Sequence, residues 1–353
     1  MKINKLLTGL FASVLLTFAA CNDDNFDFNN QETSYSGILI ANEGSFNKPD
    51  ATVDFLSSDL STSQSGIYKT VNNEDLGDVL QTIGFKGTNA FLVLNNSNKI
   101  VIANRFNFQK NATVTSNLVS PRYIAFTDSQ YYVTNNNFFG TYKLNIYNNA
   151  DNTFIKSINF DRYAEKVVEA GGNILVQTDG SLYNASTGTM DITGHTITIV
   201  KPSTNNIDKT ITLPDSGEIK DLVSYEGSAY ALSSTATDSY IYKINPSDGT
   251  FSTVTLIGIA NAQKLRIDSG YFYFLDGGNK VYSKMTATPT SEIKTLFTAP
   301  GYGSYGFNII DGKIFVSDAS FTGESTSYVY NASTGAQIKS FKSGIGTNGF
   351  YKN

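Results

Sequence analysis

The 353-residue chain contains no tryptophan, one cysteine and one histidine. A single cysteine leaves no intrachain disulfide. One cysteine and one histidine leave neither a Cys/His zinc site nor a Cys–His catalytic pair. Charged residues make up only 16%, too few for a coiled coil. Basic side chains number 26 against 31 acidic ones, a balance of −5. With no basic footprint, nucleic acid is excluded as a partner. What is present is a globular share of apolar residues, 40%, with 29 glycines. The aromatics are 24 Phe and 21 Tyr, set among many Asn, Ser and Thr, a composition that favours strands and turns.

Residues 1–20 read as a signal peptide. Lys2 and Lys5 form its positive end, and Leu6 to Ala20 is an apolar run ending in small residues before Cys21. The run is too short for a membrane span. Leu16-Thr17-Phe18-Ala19-Ala20-Cys21 resembles a lipobox, which makes Cys21 the lipidation site and 21–35 a lipidated, flexible tether. The acidic pair Asp23-Asp24 resembles the surface-export signal of some Gram-negative lipoproteins. The expected location is therefore the outer membrane, facing the cell surface and touching the membrane only through the lipid anchor.

From residue 36 onward no amphipathic helix is evident, and short strands alternate with Gly, Asn, Asp and Ser turns. One apolar strand type recurs, as in Gly37-Ile38-Leu39-Ile40, Ala90-Phe91-Leu92-Val93 and Asn173-Ile174-Leu175-Val176. Its seven copies are spaced by roughly 40 to 55 residues, the period of four-stranded propeller blades. The hexapeptide Tyr-Asn-Ala-Ser-Thr-Gly occurs at 183–188 and again at 330–335. Its Asn-X-Ser sequon reads as turn chemistry rather than a glycan acceptor. Residues 344–351 resemble an innermost strand with no partners after it, while the first blade has no innermost strand before Gly37. The expected fold is thus all-β. Residues 36–353 should form a seven-bladed β-propeller of four-stranded blades, its ring closed by the C-terminal strand.

The opening Ile38-Leu39-Ile40-Ala41-Asn42-Glu43-Gly44-Ser45-Phe46 resembles that of seven-bladed YVTN-type surface lipoprotein propellers. Some members of that group bind cobalamin at the outer surface and pass it to a TonB-dependent transporter. The resemblance implies a small organic ligand, with a corrinoid the specific expectation, and a transporter of that kind as partner.

Propeller ligands gather at the mouth of the central channel. Aligning the innermost strands puts Arg122, Glu165, Lys220, Gln263 and Tyr305 in one row and Tyr123, Lys166, Asp221, Lys264 and Gly306 in the next, a mixed-charge ring. Loops on that face carry Phe46, Phe138, Phe139, Tyr163, Tyr183, Tyr302, Tyr305 and Phe321. The candidate ligand-binding residues are Asn42, Glu43, Phe46, Arg122, Arg162, Tyr163, Lys220, Lys264, Tyr302 and Tyr305. Residues 178–194 add a hairpin to blade four on the same face. His195 stands at the start of a strand and reads as structural. No calcium loop of the Asp-x-Asp-x-Asp-Gly type and no phosphate loop is present, so neither metal nor cofactor is expected. Catalysis looks poorly supplied, and the chain is expected not to be an enzyme. A protein- or glycan-binding adhesion propeller and a metal-dependent hydrolase or lyase stand as the alternatives.

Overall fold

A strand that buries both faces must be apolar at every position, and the ring architecture imposes that condition here. Ile38 and Ile40 pack toward one neighbouring blade, while Leu39 and Ala41 pack toward the other. Hence the continuous apolar runs, in place of the in-out alternation of a half-exposed sheet. The computed structural model describes residues 34–178, 181–192, 195–288, 290–301 and 305–353. The unit Tyr35–Asn353 contains seven four-stranded antiparallel sheets, each a blade, and one separate two-stranded hairpin.

The innermost strands of blades two to seven are Leu80–Lys86, Pro121–Phe126, Val167–Ala170, Glu218–Tyr225, Gln263–Asp268 and Gly306–Ile310. Blade one takes its innermost strand from the other end of the chain, Thr347–Lys352. That strand pairs with Ile38–Asn42, with Ile38 opposite Lys352 and Ile40 opposite Phe350. Seven apolar clusters hold the ring, one at each blade interface, including the seven–one interface around Phe315, Val329 and Phe350. Outermost strands such as Asn206–Thr212 are mostly exposed and polar, which blunts the edge pairing an open sheet would invite.

The seam is locked from the face where the chain enters the ring. The Asn353 amide nitrogen donates to the carbonyls of Tyr35 (2.6 Å) and Arg105 (2.7 Å), and Arg105 Nε donates back to Asn353 Oδ1 (2.8 Å). Tyr35 itself donates its backbone N–H to the Phe106 carbonyl in the loop between the outer two strands of blade two. Hairpins on that face share one turn. The side chains of Asn104, Asn148, Asn245 and Asn331 each accept the N–H two residues on, and Asn184 makes the same turn in the hairpin added between the second and third strands of blade four. The residue four positions later is left-handed, Gly188 and Gly335 closing the two copies of the hexapeptide. These sequon asparagines are turn residues.

One expectation is corrected. A six-residue helix, Ile67–Asn72, links blades one and two. Its Ile67 and Tyr68 are fully buried, and left-handed Gly66 and Asn73 bound it. It is too short to show an amphipathic period, and tertiary burial rather than local propensity holds it. The added hairpin of blade four is present as Ser181–Asn184 paired with Thr189–Ile192, inserted between strands Asn173–Gln177 and Thr196–Lys201.

Candidate functional site

Five of the seven innermost strands carry a β-bulge near their first residues, all at the same mouth of the channel. The extra residue is Gln81 in blade two, Lys220 in blade five and Asn348 in blade one. In blade three Arg122 and Tyr123 together oppose one residue, and in blade six Lys264 and Leu265 do so. A bulge breaks the period-two alternation and re-aims side chains. Here it points long polar groups along the channel axis while the flanking apolar residues stay in the blade interfaces. Lys264 adopts φ 57°, a left-handed backbone that only surrounding structure holds in a non-glycine residue.

The resulting cavity has a volume of about 300 Å³ and is walled by innermost-strand residues of five blades, with Lys166 just before the innermost strand of blade four. Its polar wall includes Gln81, Arg122, Lys166, Lys264, Arg266 and Asn348, with Glu43 from the loop after Asn42. Tyr123, Phe307, Phe350 and Tyr351 supply its aromatic surface.

Two ion-pair groups organise the wall. Arg122 grips Glu165 in a fork, with Nε at 3.0 and 3.1 Å from the two oxygens and Nη2 at 2.5 Å, while Nη1 donates to Gln81 Oε1 at 2.6 Å. Asp221, whose side chain is 2% exposed, accepts from Arg266 Nη1 at 2.8 Å and faces Lys166 Nζ at 3.6 Å. Lys166 also lies 3.9 Å from the centre of the Tyr123 ring, a cation–π contact. Glu43 accepts from Asn348 Nδ2 at 2.9 Å and from the Tyr305 hydroxyl. Lys264 Nζ donates to the Tyr305 carbonyl at 2.9 Å.

These surroundings shift the charges. Burial pushes the Lys264 amine down to about 8, with Lys166 and Arg266 adding to the effect and Asp221 and Glu43 opposing it. Burial raises the Glu43 carboxyl despite its hydrogen bonds. Burial alone would raise Asp221 as well, yet Lys166, Arg266 and Lys264 outweigh it and hold that carboxyl below its usual range. Burial and then Glu43 drive the Tyr305 hydroxyl upward. Such perturbed groups converging in a cleft make it the candidate site.

The structure gathers Glu43, Arg122, Lys264 and Tyr305 of the sequence candidates into this cavity. It places the others elsewhere. Asn42 is fully buried in the ring seam, donating to Thr52 and Asp54 and accepting from Thr347, because it ends the strand that the C-terminal strand must pair with. Tyr163 is 5% exposed and packs against Phe138 and Tyr142, a loop-core role. Arg162 pairs with its neighbour Asp161, outside the cavity wall. Lys220 pairs with Glu218 and, although it sits at a bulge like those of Lys264 and Arg122, is not part of the cavity wall. Phe46 is 70% exposed on the loop above the mouth, and Phe321 lies edge-on to Tyr305 at 5.0 Å. Cys21, Tyr302 and the Tyr183 side chain lie outside the described residues.

Sequence alignment missed Gln81, Arg266 and Asn348. It covered five blades, and the matching positions of blades two and one are Gln81 and Asn348. Arg266 lies two residues beyond Lys264, past the blade-six bulge and outside both aligned rows.

Fold and site together define a seven-bladed β-propeller with a charged pocket at one mouth of its channel. The chain belongs to the family described as "Domain of unknown function (DUF5074)", which matches residues 36–351. No curated protein matches the chain. Among solved structures it is similar to hydrazine synthase of Kuenenia stuttgartiensis, with 12% identity and TM-score 0.56 over 74% of this chain and 86% of that one. A computationally designed protein is similar at 11% identity and TM-score 0.57, over 90% of each chain. The dihydro-heme d1 dehydrogenase NirN, in complex with DHE, is similar at 11% identity and TM-score 0.56, over 92% of this chain and 76% of that one. At these identities the likeness carries the fold alone. It does correct the non-enzymatic expectation: two of the three are enzymes by name, so the propeller offers no argument against catalysis.

Proposed function

We propose that the chain is a cell-surface lipoprotein that captures a small organic ligand at the channel mouth and passes it to a TonB-dependent outer-membrane transporter, with a corrinoid as the ligand. The observation that carries this reading is the preformed pocket: bulged strands aim rigid, mutually bonded polar side chains at one point, beneath a rim bearing Phe46, Phe138 and Phe321. Preformed walls bind at little entropic cost, and aromatic faces supply the contact area. A corrin ring is too wide for a cavity of about 300 Å³. It rests across the mouth against the aromatic rim, with only a substituent in the channel. Tyr35, the first residue of the ring unit, lies on the face opposite the pocket.

Calorimetry of the full chain against cobalamin and cobinamide tests the ligand. Saturable heat with a spectral shift is expected, and no signal at high micromolar ligand rejects the corrinoid.

A further inference from the structure

We propose that the channel pocket is an anion seat, in which a carboxylate or phosphate group of the ligand enters the channel and is held by Lys264 with Lys166 and Arg266 beside it. The inference deepens the ligand-capture reading by naming the chemistry of the part that enters.

Among the described residues, four cations line the cavity against one carboxylate. Three of the four are already matched by carboxylates set behind the wall. Arg122 is held by Glu165, and Lys166 and Arg266 share Asp221. Lys264 is different. Among the described residues it has no carboxylate within ion-pair distance, and its amine donates one hydrogen bond, to a neutral backbone carbonyl. An ammonium has three donors, so two remain for a guest. The blade-six bulge and the left-handed backbone of Lys264 hold that amine toward the axis. The one lining carboxylate, Glu43, is engaged by Asn348 and Tyr305. Burial raises its carboxyl above the usual range, and its hydrogen bonds to Asn348 and Tyr305 occupy its oxygens. Size agrees. About 300 Å³ is the volume of roughly ten waters. That accommodates a carboxylate-bearing ring or a phosphate ester but not a macrocycle.

The charged and titratable groups facing Lys264 are Lys166, Arg266, Asp221, Glu43 and Tyr305. Because its amine loses its proton near pH 8, anion affinity should fall between pH 7 and pH 9. A bound anion should shift that titration upward.

The experiment is calorimetry of the full chain with benzoate, inorganic phosphate and uncharged benzamide at pH 7 and pH 9. At least one anion should bind at pH 7, with benzamide at least tenfold weaker. Benzoate alone identifies a carboxylate seat, phosphate alone a phosphate seat, and either supports the proposal. Lys264→Met should weaken the anion by about ten- to hundredfold, the worth of a charged hydrogen bond, and Lys264→Arg should retain most of the affinity. Should the Met variant not fold, the NMR resonance of reductively methylated Lys264 in the parent chain decides, since the anion must move it. Equal binding by Lys264→Met, or no binding and no resonance shift in the millimolar range, overturns the proposal. Lys264-dependent anion binding without any corrinoid binding leaves the seat standing and rejects the corrinoid. Corrinoid binding indifferent to Lys264→Met does the reverse.

Discussion

Replacing Asp221 with asparagine should lower the stability of the whole ring, because this carboxylate neutralises two cations from two other blades. Its side chain is 2% exposed, while those of Lys166 and Arg266 are 21% and 25% exposed toward the channel. Removing one member of a buried ion group costs about 3–5 kcal/mol, most of it from the charge left unpaired. Channel water solvates the two cations in part, so the low end, about 3 kcal/mol, is expected. For a unit of roughly 320 residues, an unfolding entropy near 2.1 cal/mol/K per residue makes 1 kcal/mol worth about 1.5 °C. The variant should therefore melt about 4–5 °C below the parent by scanning calorimetry at pH 7. The deficit should depend on acid. The folded carboxyl is held below its unfolded value of about 3.9, so its contribution is complete above that pH and is lost as pH falls through the folded value. The gap between parent and variant should begin to narrow below about pH 4 and close once pH is below the folded value. A variant within 1 °C of the parent at pH 7, or a gap that persists undiminished in acid, would refute the electrostatic account.

Deleting Gly344–Asn353 should remove the innermost strand of blade one and unfold the ring cooperatively. Phe350→Ala alone, at a site 1% exposed, should cost about 3–5 kcal/mol in chemical denaturation. Tyr305→Ala should weaken ligand binding by about ten- to hundredfold in calorimetry, since its ring braces Phe321 and its hydroxyl braces Glu43. Cys21→Ser should move the chain out of the membrane fraction. Replacing Asp23 and Asp24 with alanine should leave it lipidated but protected from protease added to whole cells. Replacing the blade-four hairpin with a short glycine turn should leave melting nearly unchanged, because its two strands form a sheet of their own, and any change should appear in ligand preference.

The sequence by itself determined the ring. Strand identity, turn chemistry and blade number are local or periodic properties. Ile38–Ala41 must be buried on both faces wherever it goes, and an Asn followed four residues later by Gly makes the same hairpin at 184–188 and 331–335. Closure was legible too, because a strand at 347–352 with no later partner can complete only a blade that lacks one. The site was legible in part, as two adjacent rows forming a mixed-charge ring, one containing Arg122 and the next Lys264. Tertiary structure decided which members of those rows meet. Bulges at Gln81, Arg122, Lys220, Lys264 and Asn348 shift each strand by a residue relative to a uniform alignment, and one residue flips a side chain to the other face. Asn42 shows the same limit: adjacent to Glu43 in the chain, it faces the seam while Glu43 faces the channel. Which cations find carboxylates, and which one is left without, depends on contacts between blades about 40 residues apart in the chain. No local pattern records those distances, so a Lys264 with no carboxylate partner among the described residues appears only once the ring is closed.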